Sequence, residues 1–458
     1  MRRLRGWIDE RLQISPLVTA FLDRRMPAQV GWAHTLGSAT LLFLVVQTAT
    51  GIVLSLSYVP SPDAAYESVL YIDRTPFGAL VRGVHHWSAA ILVILIGLHA
   101  LRVFIWAAHR YPRELTWVVG AFLFFVVLGF AFTGYLLPWD QKAYWATVVG
   151  TNIAGSVPLI GRNMLEFLRG GPELGAVTLA RFYGIHVWVL PALLIGLVGI
   201  HLFAVIRQGI ASSPRRRSLV EPIPGESRRA AYEREYAADK ALGEPFWRAL
   251  VKDATVSVVL LAIVFALAIF VGASLEPKAN PNATGYAPRP EWYFLDLFQL
   301  LWYFTGAFES LLIFGVFAVG ATVFVLVPFI DRSTERLPRR RPVAMALAGA
   351  VVIGVLGLTF IGATSSPAGL ATVPPVAGMS AQQLEGLKIY NAEGCSSCHA
   401  LRGIGGTSGP DLSRAGYRWE AANIRTQIVA PKDVKMPAFD GLTDQQLDDL
   451  VVFLASLK

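Results

Sequence analysis

Seven stretches of this chain are each long and apolar enough to cross a lipid bilayer, which takes roughly 20 residues of helix. They lie near Thr35–Tyr58, Trp87–Trp106, Trp117–Leu137, Ile185–Ile206, Ala254–Ala273, Leu311–Ile330 and Val343–Gly362. Hydrocarbon offers no water to satisfy backbone groups, so each stretch must close its own hydrogen bonds as a helix. The expected fold class is therefore all-α: a polytopic membrane protein with seven transmembrane helices. The net charge of +8 raises a nucleic-acid partner, but its distribution excludes one. Lys and Arg crowd the N-terminal arm and every second connection, most densely in "SSPRRRS" and "RLPRRRP", and are sparse in the others. That is the positive-inside pattern. It predicts a cytoplasmic N-terminus and places everything after the seventh helix on the opposite, positive side. The N-terminus is basic, but a polar stretch follows it, so no cleavable signal is expected.

The last part of the chain is soluble in character and follows a flexible stretch, "SSPAGLATVPPVAG". It holds both cysteines of the protein in Cys395-Ser396-Ser397-Cys398-His399. C-x-x-C-H is the pattern of covalent haem attachment: the thiols bind the vinyl groups and the imidazole falls under the iron. A disulfide, a redox C-x-x-C or half a zinc site are the alternatives. Zinc would want two more thiol or imidazole ligands nearby, and a redox pair does not call for the histidine. Met436, in "KMPAF", is the candidate sixth ligand, ahead of Met379, and a thioether there raises the reduction potential. Covalent haem is normally installed on the positive side, where the loop charges independently place this tail.

Histidines inside apolar segments mark function. The second segment carries His85, His86 and His99; the fourth carries His186 and His201. His85 and His99 are 14 residues apart, about 40° short of four whole helical turns, so they share a face. His86 to His99 leaves about 140°, so His86 points away. His186 and His201 are 15 apart, about 60° past alignment and still on one side. Each pair spans about 21 Å of helix axis. With the two helices parallel, His85 faces His186 and His99 faces His201, and two bis-histidine haems stack across the membrane. Gly37 and Gly51, like Gly120 and Gly134, repeat at 14 residues and would clear space for flat rings at both depths. Small residues also serve ordinary membrane helix packing. Arg82 and Arg102 flank the second segment as candidate partners for haem propionates, or as snorkelling residues. His34, His86 and His109 read as hydrogen-bonded packing residues.

These residues resemble the cytochrome b of cytochrome bc complexes, the quinol:cytochrome c (or plastocyanin) oxidoreductases. Residues 1–210, with "HHWSA", "PRELTWV", "TGYLLPWDQ", "RFYGIH" and "RQGI", resemble the four-helix diheme subunit of the plastoquinol-oxidising branch. Residues 211–365, with "GEP", "LEP" and "PEWYF", resemble its three-helix partner, subunit IV. A linker, 366–379, leads to residues 380–458, which resemble a small all-α monohaem cytochrome c.

The resemblance implies roles. Pro290, Glu291, Trp292 and Tyr293 match the quinol-oxidation loop, with Glu291 accepting a proton from quinol, its pKa tuned upward by burial; a helix-capping carboxylate is the other reading. Tyr144 and Trp145 match a segment lining the same pocket. His85 and His186 would hold the low-potential haem b on the positive side, and His99 and His201 the high-potential one near the cytoplasm. Lys252 and Asp253, assisted by Arg207, resemble the group that protonates quinone at the reducing site. Thr35 stands where plastoquinol-type relatives carry a haem-attaching cysteine, so no extra covalent haem is expected. The glutamate of "PEWY" leans toward a higher-potential quinone.

The expected cofactors are thus two haem b and one covalent haem c, with quinone as substrate. A Rieske centre needs two Cys and two His; both cysteines are used, so it would come from a partner subunit. The implied activity is bifurcating quinol oxidation: one electron to the Rieske protein and c haem, the other across the b haems to a cytoplasmic-side quinone, coupled to proton translocation. Implied partners are the quinone pool, a cytochrome c or terminal oxidase, and a second copy in a homodimeric multi-subunit complex in the bacterial inner membrane. A non-bifurcating diheme anchor relaying electrons to a docked partner is the alternative, and a haem-based sensor a third; neither calls for "PEWY" or the subunit IV-like half.

Overall fold

The computed structural model describes the whole chain except residues 1, 172–173, 216–217, 281–288, 305–306, 365–371, 407–408, 432–435, 437–438 and 440. Part of the predicted linker, two arginines of "SSPRRRS", and Lys435 and Pro437 beside Met436 lie outside the described residues. No β-strand occurs among those described. Two short helices, α1 (Arg2–Leu12) and α2 (Ile14–Asp23), precede α3 (Thr35–Ser55). Then come α4 (Ala65–Arg74), α5 (Pro76–Ile105), α6 (Glu114–Tyr135), α7 (Gln141–Gly155) and α8 (Gly161–Arg169). Next, α9 (Ala176–Gly184) runs through a π-helical turn, Ile185–Val189, into α10 (Leu190–Gln208). After α11 (Arg228–Ala241) follow α12 (Phe246–Phe270), α13 (Leu295–Trp302), α14 (Ala307–Ile330) and α15 (Pro342–Thr364). The tail holds α16 (Ala381–Ala392), α17 (Ala415–Arg418), α18 (Ala421–Val429) and α19 (Asp444–Ala455).

Six helices among the described residues are long and apolar enough to cross a membrane, the α9–α10 run counting as one. The remaining predicted segment, Leu311–Ile330, lies on α14, whose described apolar part is Gly315–Ile330. The second helix starts well before Trp87. Thr75 caps it by accepting a hydrogen bond from the Gly78 amide at 3.1 Å, and Pro76 takes the first turn, where a missing N–H costs nothing. Its first turns carry Arg82, His85 and His86, so an apolar window that begins at Trp87 misses them.

Residue contacts divide the chain into two compact units. The first comprises residues 1–140, 162–276 and 317–354. Its core joins α3, α5, α6 and α12 through Phe43, Val84, Leu92, Leu95, Val127 and Val264. Between apolar helices in lipid the hydrophobic drive is weak, and close approach of small residues does the work. At Gly83 a Cβ would lie 2.9 Å from that of Ala268, so α5 and α12 meet almost backbone to backbone. A second cluster joins α6 to α10 through Val119, Leu123, Val126 and Leu194. Just beyond α14, Asp331 accepts hydrogen bonds from Arg110 at 2.5 Å and Arg341 at 2.6 Å, and pairs with His109 at 3.2 Å. Burial alone would raise the Asp331 pKa, but the Arg110 and Arg341 guanidiniums outweigh it and hold it low. His109 is fully buried and stacks on Phe104, as a packing residue would.

The second unit comprises residues 141–161, 277–316 and 355–458. It includes α7, α13 and the end of α15, where Gly362 abuts the Leu295 carbonyl. Its tail domain closes α16 on α19 around Leu387, Tyr390, Leu450 and Phe453. Each such side chain, taken from water, is worth about 1.5–3 kcal/mol.

Candidate functional site

Four buried imidazoles organise the first unit. His85 and His99 project from α5; His186 and His201 come from the π turn and α10. His85 interacts electrostatically with His186, and His99 with His201. The two helices therefore run parallel, and the histidines pair at two levels, as their spacing predicts.

Each imidazole rests on one of the four glycines. A Cβ on Gly37 would stand 3.1 Å from His99 Cε1, on Gly51 3.3 Å from His85 Cε1, on Gly120 3.2 Å from His201 Cε1, and on Gly134 2.8 Å from His186 Cε1. Thus α3 runs antiparallel to α5 and supports both its histidines, and α6 does the same for the fourth helix. At Gly134 a side chain would force a shift, and at Gly37, Gly51 and Gly120 the imidazole would have to give by a few tenths of an ångström.

The π turn resolves the unequal spacing. Pro191 has no N–H and its ring crowds the carbonyl of Val187. The ladder widens there: the Leu190 amide bonds to the Ile185 carbonyl, five residues back. Such a turn takes up one extra residue. The 15 residues from His186 to His201 then span what 14 span between His85 and His99.

Two threonines fix one level. Thr50 Oγ1 donates to the Val46 carbonyl at 2.7 Å and lies 2.8 Å from His85 Nδ1. Thr133 Oγ1 donates to the Gly129 carbonyl at 2.8 Å and lies 2.9 Å from His186 Nδ1. With each hydroxyl proton committed to the backbone, the oxygen accepts from Nδ1–H, and Nε2 keeps its lone pair free. Gln47 Nε2 also donates to the His85 carbonyl at 2.7 Å. At the other level, His201 Nδ1 is buried with only a poorly formed contact to the Thr116 backbone.

The two arginines part company. Arg82 pairs with Asp73 at 2.5 Å and donates to the carbonyls of Ala273 and Ser274. The early start of α5 brings its guanidinium to Asp73 on α4. Arg102 keeps Nε and one Nη buried and unpartnered, over the Trp106 ring at 4.6 Å. His34 binds the Ala211 carbonyl through Nε2 at 3.0 Å, and Thr35 Oγ1 donates to the Trp32 carbonyl at 2.8 Å. Of the reducing-side candidates, Asp253 accepts from Ser38 Oγ at 2.7 Å and Lys252 donates to the Val30 carbonyl at 3.1 Å. Arg207 is exposed near the end of α10.

In the second unit, Pro290 precedes Glu291, which opens a short 3-10 turn, Trp292–Phe294. Its side chain makes no capping bond. Instead, one carboxylate oxygen accepts from Lys142 Nζ of α7 at 2.9 Å. Tyr144 and Trp145 follow on α7, ring to ring at 5.5 Å, and the Trp145 N–H is buried without a partner. Tyr293 sits edge-on to Trp292 and Phe294.

In the tail, His399 Nδ1 bonds to the Pro410 carbonyl at 2.8 Å, which leaves Nε2 free. A Cβ on Gly409 would stand 2.5 Å from His399 Cε1, so a glycine again clears the ring. Cys395 and Met436 pack against the tail core. Burial, with Glu393 nearby, pushes the Cys395 thiol up to about 12. Sequence reasoning missed Thr50, Thr133 and Lys142. The threonines had a signal, since each immediately precedes a ring-facing glycine. Lys142 had none.

Comparison with known proteins gives the family. The family described as "Cytochrome b/b6/petB" matches residues 21–209, "Cytochrome b(C-terminal)/b6/petD" residues 278–379, and "Cytochrome C oxidase, cbb3-type, subunit III" residues 381–454. The menaquinol:cytochrome c reductase cytochrome b subunit of Geobacillus thermodenitrificans is 46% identical over 46% of this chain and 98% of its own length. The cytochrome bc complex cytochrome b subunit of Chlorobaculum thiosulfatiphilum is 34% identical over 78% of each chain. A chain of a hyperthermophilic respiratory Complex III superposes with a TM-score of 0.67 and 28% identity, over 81% of this chain and 92% of that one.

Proposed function

The chain belongs to the cytochrome b family of cytochrome bc complexes, and we propose that it is the bifurcating core of its complex. It is an integral membrane protein of a quinol:cytochrome c oxidoreductase and carries haem b and haem c domains. The finer reading assigns His85 with His186, and His99 with His201, to two haem b, and Cys395, Cys398, His399 and Met436 to one covalent haem c. The observation that carries it is the fourfold repeat of glycine against imidazole at two levels. The donors fit: buried imidazoles, two with Nδ1 engaged by Thr50 and Thr133, and a buried Arg102 with unpaired N–H groups suited to a propionate. When bound, these haems supply one-electron carriers at two depths of the membrane and on the tail domain.

The residues of the second unit handle the proton. Glu291, on the positive side, takes a proton from a quinol hydroxyl, with Tyr144, Pro290, Trp292 and Tyr293 shaping the pocket. One electron leaves to a Rieske partner subunit and the other serves quinone reduction on the cytoplasmic side. There Lys252 and Asp253 supply protons, assisted by the charge of Arg207, so turnover moves protons outward. The fused tail domain keeps an acceptor at high effective concentration. The N-terminus is cytoplasmic, the membrane is the bacterial inner one, and the complex is a homodimer. Menaquinol is the first substrate to assay, since the b part is 46% identical to a menaquinol reductase subunit; this weighs against the lean drawn from Glu291.

The test is a dithionite-reduced spectrum of the purified complex, before and after acid-acetone extraction, followed by quinol turnover. Two b haems per c, with only the c haem retained, are expected. One b haem per c would overturn the histidine pairing. Full haem content without quinol:cytochrome c turnover would favour a simple diheme anchor.

A further inference from the structure

We propose that Lys142 is a positioning residue for quinol oxidation: its ammonium holds the Glu291 side chain against α7 as the carboxylate that receives the quinol proton. The inference rests on the assignment of Glu291 as proton acceptor. Glu291 and Lys142 are 149 residues apart in sequence, yet Nζ and Oε1 meet at 2.9 Å. Both are mostly shielded, with side-chain exposures of 20% and 14% for Lys142 and Glu291. An exposed pair would mean little; a shielded one is held less by screening and more by its partner.

Glu291 has two local alternatives and uses neither. It could cap the Trp292–Phe294 turn, and it makes no capping bond. It could turn to Arg289 on its own segment, but Arg289 donates to the Ala363 carbonyl at 2.8 Å. Among the described residues of this stretch, Glu276, Lys278 and Asp296 are also charged, and Tyr144 and Tyr293 are phenols carried by α7 and the Trp292–Phe294 turn. Lys142 is the cation in hydrogen-bond contact.

Chemically, a base must be deprotonated before it can accept. The ammonium holds the carboxylate against α7, the helix that also carries Tyr144. When the quinol hydroxyl delivers its proton, the carboxyl becomes neutral, the ion pair is dissolved and the acid is free to pass the proton on. Lys142 itself neither gains nor loses a proton.

Without Lys142, the Glu291 side chain loses its anchor on α7, and turnover falls. The experiment measures quinol:cytochrome c turnover of the intact complex from pH 5 to 9 for wild type, K142M, K142R, E291D and E291Q, with haem b content as the folding control. K142M is expected to lower kcat roughly tenfold to a hundredfold, as a misplaced reacting group does. K142R should restore it, and KM should change less than kcat. E291D, which withdraws the carboxylate without touching the lysine, should lower kcat in the same way and keeps the idea testable if K142M fails to assemble. A K142M/E291Q double variant should be no slower than E291Q alone. A K142M or E291D profile overlaying wild type, with E291Q at least tenfold slow, overturns the role of Lys142 alone. Full activity of E291Q overturns the proton-acceptor reading beneath it.

Discussion

Replacing Gly134 by alanine is the sharpest perturbation of the proposed cofactor cradle. The new Cβ would stand 2.8 Å from His186 Cε1, 3.4 Å from Nε2 and 3.5 Å from Nδ1. Carbon contacts are comfortable from about 3.5 Å, so the ring must withdraw by about 0.7 Å. It cannot do so freely, because the neighbouring Thr133 holds Nδ1 at 2.9 Å. Either that bond stretches or α6 moves away from the fourth helix. Overpacking of this kind costs about 1–3 kcal/mol. At tenfold per 1.4 kcal/mol, retention of the group on His186 weakens roughly 5- to 150-fold. Gly51→Ala is the control: its Cβ would stand 3.3 Å from His85 Cε1, which calls for a few tenths of an ångström. Haem b per haem c, measured on complexes purified side by side, should therefore fall furthest for G134A and least for G51A. Equal loss in both, or full retention with an unchanged midpoint potential in G134A, would refute the argument that these glycines exist to clear the rings.

Gly409→Ala should act on the tail in the same way: a Cβ at 2.5 Å from His399 Cε1 displaces the imidazole, and the covalent haem c should lose its normal reduced spectrum while both b haems stay. His109 makes stability pH-dependent. Burial holds its pKa at about 4, against an ordinary value of 6.5, with Asp331 only partly opposing. Between those values the unfolded chain binds a proton that the folded one does not, so stability falls as pH drops from 6.5 to 4, by about 3 kcal/mol at most. The thermal midpoint of the complex should fall between pH 7 and pH 5, and less so in H109Q; equal slopes in both would remove His109 as the cause.

Much of this was legible because helical periodicity is a strong constraint. His85 and His99, 14 residues apart, had to share a face, and the glycines at the same period had to meet them if the helices were antiparallel. The physical reason for the 15-residue spacing was not legible: it depends on how Pro191 breaks the hydrogen-bond ladder three-dimensionally, and no spacing rule anticipates a π turn. The contacts of Arg82 were not legible for a related reason. The apolar window began at Trp87, so the first turns of α5, with Arg82, His85 and His86, and the approach of Asp73 were invisible. Glu291 was found by its motif, whereas Lys142 required knowing that α7 folds onto that loop. A contact across 149 residues leaves no local trace.

The two levels of the histidine ladder differ chemically in a way that orders them. At one, Thr50 and Thr133 both accept from Nδ1–H, each hydroxyl being anchored to its own helix. Such a bond raises the basicity of the opposite nitrogen, and a more basic axial ligand favours the oxidised iron. At the other level His201 Nδ1 has no comparable acceptor. The His85–His186 level should therefore carry the lower potential, in line with its expected place on the positive side. Replacing Thr50 and Thr133 together by valine keeps the shape and removes both acceptors. A redox titration of the b haems should then show the lower midpoint rising toward the upper one. The upper one should stay, because nothing at the His99–His201 level touches either threonine's hydroxyl among the described contacts. If both midpoints stay fixed while haem content is complete, hydrogen bonding is not what separates the two levels, and the difference must come from charge, with Arg102 the first residue to test.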